Sequence, residues 1–585
     1  MQNSKIADMF EEVAVLLRIS EDNEFHARAY DEAARIIRGS SESFENMVQQ
    51  GVDIKEKYYG IGEGITDHIK EIVSTEKLEK LEKLRKKIPP TLVDLTKIRG
   101  VGPQTAKKVW KEANVTTIDE LDKAAKTGQL RDIKGFGKKT EENILEGVQD
   151  YNDWQERTLL SDADKIVDPL LSYLKKNENI EKMEVAGSWR RRKETVGDID
   201  ILVIADNNKD VINYFTDWEK IKSVESAGET KSTILLSNNF RIDLRVVAKK
   251  AFGAALCYFT GSKAHNIRLR SLAREKGLSI SEYGVFEIPE GGGENKNKEE
   301  NRISGEKEQD VYDSVELPWI PPELREDRGE IKAAEHNNLP SLIKKSDIKG
   351  DLQMHTEYSD GNNSIKQMAE EAIKLGYEYI AITDHSQAMT QASGMDPEEI
   401  QKQWKEIEEV DEELSEITIL KGAEVDILKD GSLDLPDEIL KKLDVVLISV
   451  HQSMRLDKEQ QTKRILKAFE NPYVNIFSHP TSRKINERKP IEFDLDKILK
   501  SAQEHKIAIE CNAQPFRLDL NDLDLHYIKD KKMDVKIAIN TDSHNEGELS
   551  LIRYGINQAR RGWIEKEDVI NTFNLKELKK FLNKV

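Results

Sequence analysis

Cysteine is almost missing from this chain. Cys257 and Cys511 are the only two among 585 residues, which excludes a disulfide framework and a thiolate metal cluster. Long apolar runs are missing as well: none approaches the ~18–20 residues that cross a bilayer, so no membrane association is expected. The first residues lack the pattern of a signal peptide. Ile6, Met9, Phe10, Val13, Leu16 and Leu17 recur there at helical spacing among acidic residues, which predicts an amphipathic helix. Positive charge is in deficit: 90 Lys and Arg stand against 109 Asp and Glu, a net charge of -19. That balance weighs mildly against a nucleic-acid binder, but a local basic face would suffice for binding, and metal sites are themselves built from carboxylates. The expectation is a cytoplasmic enzyme of several domains, because a chain this long exceeds a single core.

What is present changes along the chain. Residues 1–150 read as mostly helical, with "YGIGEGI", "IRGVGPQTA" and "IKGFGKKTE" each setting Gly-x-Gly between helical patterns. From 155 to 260 strands and helices mix, in "MEVAGS", "DIDILVIA", "KSTILLS" and "FRIDLRVVA". The stretch 289–310 is polar and glycine-rich and reads as a flexible insertion. Prolines stiffen a connector at 317–330. Beyond 347, apolar runs such as "YIAITDH", "VVLISVH" and "YVNIFSHP" alternate with helical stretches, as in a parallel α/β barrel.

A Gly-x-Gly turn lets backbone N–H groups approach a phosphate, and the next helix adds its N-terminal dipole. Gly60, Gly62 and Gly64, Gly100 and Gly102, and Gly135 and Gly137 provide three such turns. One copy is weak evidence; three copies argue for reading a sugar-phosphate backbone without regard to sequence. They resemble the helix-hairpin-helix motifs of DNA-repair proteins. That resemblance implies a monovalent cation, Na⁺ or K⁺, held by backbone carbonyls of Thr96, Ile98 and Val101. Glu56, Tyr58 and Ile61 are the looser counterparts in the first hairpin.

In "GSWRRRKETVGDID" three arginines precede two aspartates. Asp198 and Asp200 are two apart in a predicted strand and therefore share a face. Asp243, in "RIDLRVV", offers a third carboxylate from a second strand. Such a trio suits two-metal phosphoryl transfer with a pair of Mg²⁺ or Mn²⁺ ions. Gly187, Ser188, Arg191 and the backbone at Gly197 would hold the triphosphate. This set resembles the nucleotidyltransferase superfamily.

The segment "YFTGSKAHNIRLRSLAREKGLSISEYGVF" is similar to family X DNA polymerases over its whole length, and with the hairpins the resemblance covers about residues 1–320. It implies that Tyr258, Phe259 and Gly261 pack on the nucleotide sugar. Asn266, Arg270 and Arg274 fall on one helical face, and Asn266 and Arg270 can reach minor-groove acceptors. The family's deoxyribose-phosphate lyase uses a lysine in the helix after the first hairpin. Here that position holds His68, whose imidazole cannot replace a lysine amine in imine formation, and Lys70 lies two residues on. The resemblance therefore does not extend to lyase activity.

Of the 11 histidines, seven follow residue 350. His355, His385, His451, His479 and His544 sit at the ends of apolar runs, with Asp360, Glu424 and Asp542 in matching places. A parallel barrel gathers strand C-termini on one face, so these residues predict a metal cluster. "HTEYSDG", "TDHS", "GAEVD", "SVH", "FSHP" and "TDSH" resemble the polymerase and histidinol phosphatase (PHP) domain. That resemblance implies Mn²⁺ or Zn²⁺ at two to three sites and phosphoester hydrolysis: a 3′–5′ exonuclease, with apurinic-site cleavage as a further activity. The expected groups are Glu424, His451 and His479 on one ion and Asp360, His385 and His544 on another, with Glu424 and Asp542 bridging. The family's first motif, His-x-His, is here Gln353-Met354-His355, which predicts a weak third position.

The expected architecture is multidomain α/β. An eight-kilodalton-like helical domain spans 1–85, fingers 86–150, a nucleotidyltransferase palm of mixed sheet and helices 151–260, a thumb 261–316, a connector 317–346, and a distorted parallel (β/α)7 PHP barrel 347–585. The expected function is gap-filling, template-directed DNA repair synthesis with a C-terminal nuclease. Its partners would be gapped or nicked double-stranded DNA and dNTPs, and the protein a nucleoid-associated monomer. The rivals are a nucleotidyltransferase on another acceptor and a DNA-end binding scaffold.

Overall fold

The apolar stripe of the first residues forms the helix Asn3–Ser20, with Ile6, Phe10, Val13, Leu16 and Leu17 buried. The computed structural model describes residues 3–20, 24–39, 43–58, 60–98, 100–154, 157–237, 240–289 and 299–583. The chain divides into two units, Met1–Arg157 with Ile212–Leu244, and Thr158–Val211 with Arg245–Val585. The span expected as the palm is thus shared between them.

In the first unit, short helices surround one apolar core that includes Phe10, Tyr30, Phe44, Ile69, Leu95 and Val109. The three hairpins repeat one backbone device. Gly60, Gly100 and Gly135 take φ of +100°, +87° and +87°, the left-handed region that favours glycine. Around them Ile61, Val101 and Phe136 donate their N–H to the carbonyls of Tyr58, Ile98 and Ile133. Thr66, Ala106 and Glu141 then donate to the carbonyls of Gly62, Gly102 and Gly137, opening the next helices. This unit also holds an antiparallel pair, Ile221–Ala227 with Lys231–Leu236.

In the second unit, Ile180–Val185 pairs antiparallel with Asp198–Ala205. The helices Phe252–Thr260 and Lys263–Glu275 follow. A three-stranded antiparallel sheet joins Leu278–Ser281, Gly284–Glu287 and Arg302–Ser304. Part of the expected flexible insertion, 290–298, lies outside the described residues. Its second half is ordered: Arg302–Ser304 is a strand, and the Arg302 guanidinium is bonded by Glu299. Within the described residues, no helix is long and apolar enough to cross a membrane.

The barrel has seven parallel strands in sequence order: β1 (Gly350–Asp351), β2 (Tyr379–Ile382), β3 (Thr418–Asp426), β4 (Val445–Ser449), β5 (Ile476–Phe477), β6 (Ala508–Asn512) and β7 (Ile537–Asn540). Each is followed by a helix, ending with Ile552–Arg561 after β7. One parallel bridge, Met354 to Ser543, nearly closes the ring just beyond β1 and β7. The strands are largely buried because helices cover the outside. β2 and β4 are buried throughout. The expected helical, mixed and (β/α)7 parts are therefore all found.

Candidate active sites and metal centre

In Asp198–Ala205, Ile199 and Ile201 are buried while Asp198 is exposed and Asp200 half-buried. The alternation puts both carboxylates on one face, as a period of two requires. Gly187, at φ +67°, lies against Asp200: a Cβ there would be 3.5 Å from Oδ2. Arg245 Nε approaches Asp200 Oδ1 at 3.9 Å, and its guanidinium lies 4.5 Å from the Phe259 ring centre. Tyr258 and Phe259 meet edge to face. Asn266 Nδ2 donates to the Tyr258 carbonyl at 2.6 Å, so Tyr258, Gly261 and Asn266 form one cluster, with Arg270 one turn along the same helix.

The arginines after Ser188 are not loose. Arg190 donates to Thr260 Oγ1 (2.7 Å) and to both oxygens of Glu308 (2.8 and 2.9 Å). Arg191 donates Nε to Glu326 (2.9 Å) and Nη1 to the Thr260 carbonyl (2.5 Å). Arg192 stacks on Trp189 at 4.3 Å. The first two therefore tie the Gly187–Ser188 turn to the Tyr258–Gly261 segment.

Asp243 belongs to the first unit, where it is buried. Thr233 donates to it at 2.7 Å, and Lys231 and Arg241 approach at 3.1 and 3.3 Å. Burial alone would raise its pKa; the Thr233 hydroxyl and these cations outweigh burial and hold it below the usual carboxylate range. In the hairpins, a Cβ at Gly62, Gly64, Gly102 or Gly137 would meet nothing within 4 Å, so these turns present open backbone. His68 Nδ1 is 2.8 Å from the Tyr30 hydroxyl, with the rings stacked. Burial and then Lys80 lower the His68 pKa.

At the C-terminal end of the barrel the expected ligands converge. Glu424, in β3, lies at the centre. His479 Nε2 is 2.8 Å and His451 Nε2 3.6 Å from its Oε1; His385 Nδ1 is 3.4 Å and His355 Nε2 3.5 Å from its Oε2. His355 stacks between His385 and His544, with ring centres 4.5 and 4.4 Å away. Asp360 faces His544 Nε2 at 3.3 Å and His385 Nε2 at 3.7 Å. His355 Nε2 and Asp542 Oδ1 are 3.0 Å apart. His479 and Asp542 hold φ of +24° and +52°, a strained backbone of the kind that clusters at functional sites.

Three groups offer ligand atoms within 4.8 Å of one another: His355, Asp360, His385 and His544; His385, Glu424 and His451; and His355, Glu424 and Asp542. The expected Asp360, His385 and His544 recur together, as do Glu424 and His451, with further members added and His479 in none of the three groups. His355 joins Asp360, and His385 is shared, because the imidazoles are stacked in a row. Divalent cations fit this donor set. Although imidazoles crowd the Glu424 carboxylate, neither of its oxygens, nor Nδ1 of His355 or His479, makes a hydrogen bond of good geometry, and all are buried, which is costly for polar atoms. Burial opposes charge on His544, but Asp360 and then Asp542 push its pKa up to about 10. Burial dominates at His385 and lowers it to about 4.

Gln353 is buried in the same face. Its Oε1 accepts from Ser478 Oγ at 2.7 Å and its Nε2 donates toward Asp542 Oδ1 at 3.4 Å. Three supporting residues escaped the sequence reading. Asp426 accepts the His451 N–H at 3.2 Å, and Glu510 accepts the His479 N–H at 2.7 Å. Arg517 sets Nε 3.7 Å from Asp542 Oδ2, and its Nε and Nη1 are buried without hydrogen-bond partners. Reading only histidines and carboxylates at strand ends passes over an arginine in the loop "NAQPFRLDL". Of the two histidines given no role, His526 is buried against Trp563 and His505 ends the helix Leu495–His505.

A parallel barrel with a histidine and carboxylate cluster at its strand ends defines a PHP-type centre, and the comparisons agree. The PHP domain model matches residues 351–514, the DNA polymerase beta thumb 255–326, the SAM-like helix-hairpin-helix tandem 92–150 and the helix-hairpin-helix domain 1–78. The chain is 37% identical over 586 residues, 100% of both chains, to the DNA polymerase/3′-5′ exonuclease PolX of Bacillus subtilis (strain 168). Over 40% of its length the chain also resembles a "Probable phosphatase" of Thermoanaerobacter sp. (strain X514), 33% identical across 93% of that protein. Another, from Acetivibrio thermocellus, is 32% identical over 33% of this chain and 78% of that one. The chain belongs to the family X DNA polymerases that carry a C-terminal PHP domain.

Proposed function

We propose that this protein fills short gaps in DNA by template-directed synthesis and degrades DNA 3′–5′ from its barrel. The observation that carries the reading is the full-length match to a relative named as polymerase and exonuclease, together with aspartates kept in both candidate sites. Asp198, Asp200 and Asp243 would hold two Mg²⁺ or Mn²⁺ ions, which when bound supply charge stabilisation to the transferred phosphoryl group. Gly187, Ser188, Arg191 and the Gly197 backbone would orient the triphosphate. Tyr258, Phe259 and Gly261 would exclude a 2′-hydroxyl, and Asn266 and Arg270 would follow the minor groove. The hairpin glycines would take backbone phosphates of gapped or nicked DNA, with Na⁺ or K⁺ on the carbonyls of Thr96, Ile98 and Val101.

In the barrel, His355, Asp360, His385, Glu424, His451, His479, Asp542 and His544 would hold Mn²⁺ or Zn²⁺, which supply Lewis-acid activation for phosphoester hydrolysis. Gln353, whose amide oxygen is already bonded by Ser478, leaves one position weak. Arg517 is the side chain placed to receive the scissile phosphate: its unpaired N–H donors match a phosphate oxygen, and it stands beside Asp542. The chain would be arranged as a helical domain, fingers, palm, thumb and barrel, and would act as a nucleoid-associated cytoplasmic monomer. Primer extension and degradation on gapped DNA, with and without dNTPs, test the reading. Neither extension nor degradation with Mg²⁺ or Mn²⁺ present would overturn it.

A further inference from the structure

The helix Ile552–Arg561, which follows β7, ends in an arginine that makes no contact with the histidine and carboxylate cluster. Arg561 is buried, 1% exposed. Its Nη1 donates to the backbone carbonyl of Arg191 (2.7 Å) and to Glu326 Oε1 (3.0 Å). Its Nη2 donates to Asp522 Oδ2 (2.6 Å), which also takes Arg328 at 3.0 Å. Glu326 Oε1 receives Arg191 Nε as well. Burial alone would raise the pKa of Glu326, but Arg561 and then Arg191 hold it well below the usual carboxylate range. One carboxylate oxygen therefore joins two guanidinium groups, one from the barrel and one from the Gly187–Arg191 turn. A second tie lies alongside: Arg483 donates to Glu194 at 2.6 Å, four residues before Asp198.

We propose that Arg561 is a positioning residue for DNA synthesis: through Glu326 and the Arg191 carbonyl, the barrel fixes the side chain that orients the incoming triphosphate. The inference rests on the assignment of Arg191 to the nucleotide. Its chemistry is specific. Arg191 spends Nε and Nη1 on Glu326 and the Thr260 carbonyl, so its guanidinium plane is set by those two acceptors. Without Arg561, Glu326 loses a partner and the turn loses its carbonyl anchor. A lysine has one charged head and cannot reach the Arg191 carbonyl, Glu326 and Asp522 at once with a planar fork.

The test uses full-length protein and single-nucleotide incorporation on gapped DNA. Arg561→Ala should raise the KM for dNTP ~tenfold, the order of one weakened hydrogen bond to a charged group, with kcat changed far less, since loss of uniform binding appears in KM. Arg561→Lys should recover part of the loss. Arg191→Ala should raise KM too, and the double variant should be no worse than Arg191→Ala alone, because both act through one contact. Degradation of single-stranded DNA should stay at the wild-type rate in the Arg561 variants, which also reports that the barrel is folded. If Arg561→Ala is insoluble, Arg561→Lys and Glu326→Gln carry the test. A raised KM in Arg191→Ala beside an unchanged KM in the Arg561 variants overturns the positioning role. An unchanged KM in Arg191→Ala overturns the triphosphate assignment and the inference with it.

Discussion

Removing the Arg517 guanidinium should cripple degradation without touching metal binding. Its Nε and Nη1 are buried without a hydrogen-bond partner, and Nε stands 3.7 Å from Asp542 Oδ2; under the proposed function a phosphate oxygen would be their acceptor. A hydrogen bond to a charged group is worth about 1.5–3 kcal/mol, and about 1.4 kcal/mol is tenfold. Arg517→Ala should therefore lower kcat/KM for 3′–5′ degradation by roughly 10–150-fold. Arg517→Lys keeps the charge without the planar fork and should fall between. Loss of ions would be a competing cause, since changing a neighbour of a metal-ligating carboxylate lowers metal affinity, and the metal content of each variant separates the two. The assay is degradation of end-labelled single-stranded DNA under Mn²⁺, beside elemental analysis of each variant. Activity in Arg517→Ala close to wild type, with the metal content unchanged, would refute the role.

Gln353→His should raise metal content and lower the Mn²⁺ concentration for half-maximal degradation, by about the 10–100-fold that local ligand changes bring; an unchanged Mn²⁺ titration counts against the weak site. The hairpins should favour a 5′-phosphorylated gap over an open primer-template, with affinity falling steeply with salt; equal binding to both across a salt series would contradict this. Borohydride should trap no adduct at a 5′-deoxyribose-phosphate end, since His68 stands in place of the lysine amine that would form the imine; mass spectrometry of a trapped lysine would show the opposite. Glu308, bonded by Arg190, Arg325 and Trp319, is held well below the usual carboxylate range, because Arg325 and Arg190 outweigh its burial. A depressed folded pKa stabilises above the unfolded value of about 4.3 and is lost as pH falls toward the folded one. Glu308→Gln should thus cost about 3–5 kcal/mol near neutrality by leaving buried Arg325 unpaired, and less in acid, read by thermal unfolding against pH.

The hairpins, the aspartate strand and the strand-end histidines were legible because each is a local pattern. Asp198 and Asp200 share a face through a two-residue period, and three Gly-x-Gly copies produce three equivalent turns. The parallel barrel followed from apolar runs alternating with helical stretches, and its closure brought the scattered ligands together. What the sequence could not show depends on closure itself. Arg190 and Arg191 meet Glu308 and Glu326 more than a hundred residues away, and no periodicity encodes such pairs. The place of His355 in the ligand grouping was likewise hidden, because its stacking between His385 and His544 fixes which carboxylates it meets. Arg302–Ser304 looked like loop because a short edge strand in a polar stretch carries little pattern.

The central claim is that one chain holds two separate chemistries, synthesis on Asp198, Asp200 and Asp243 and hydrolysis on the barrel cluster. The direct measurement is a paired assay of Asp243→Ala and His451→Ala on the same gapped DNA with Mn²⁺, reading extension with dNTPs and degradation without them. The account predicts that Asp243→Ala abolishes extension and keeps degradation, while His451→Ala abolishes degradation and keeps extension. Loss of both activities in either soluble variant, or survival of extension in Asp243→Ala, would contradict it.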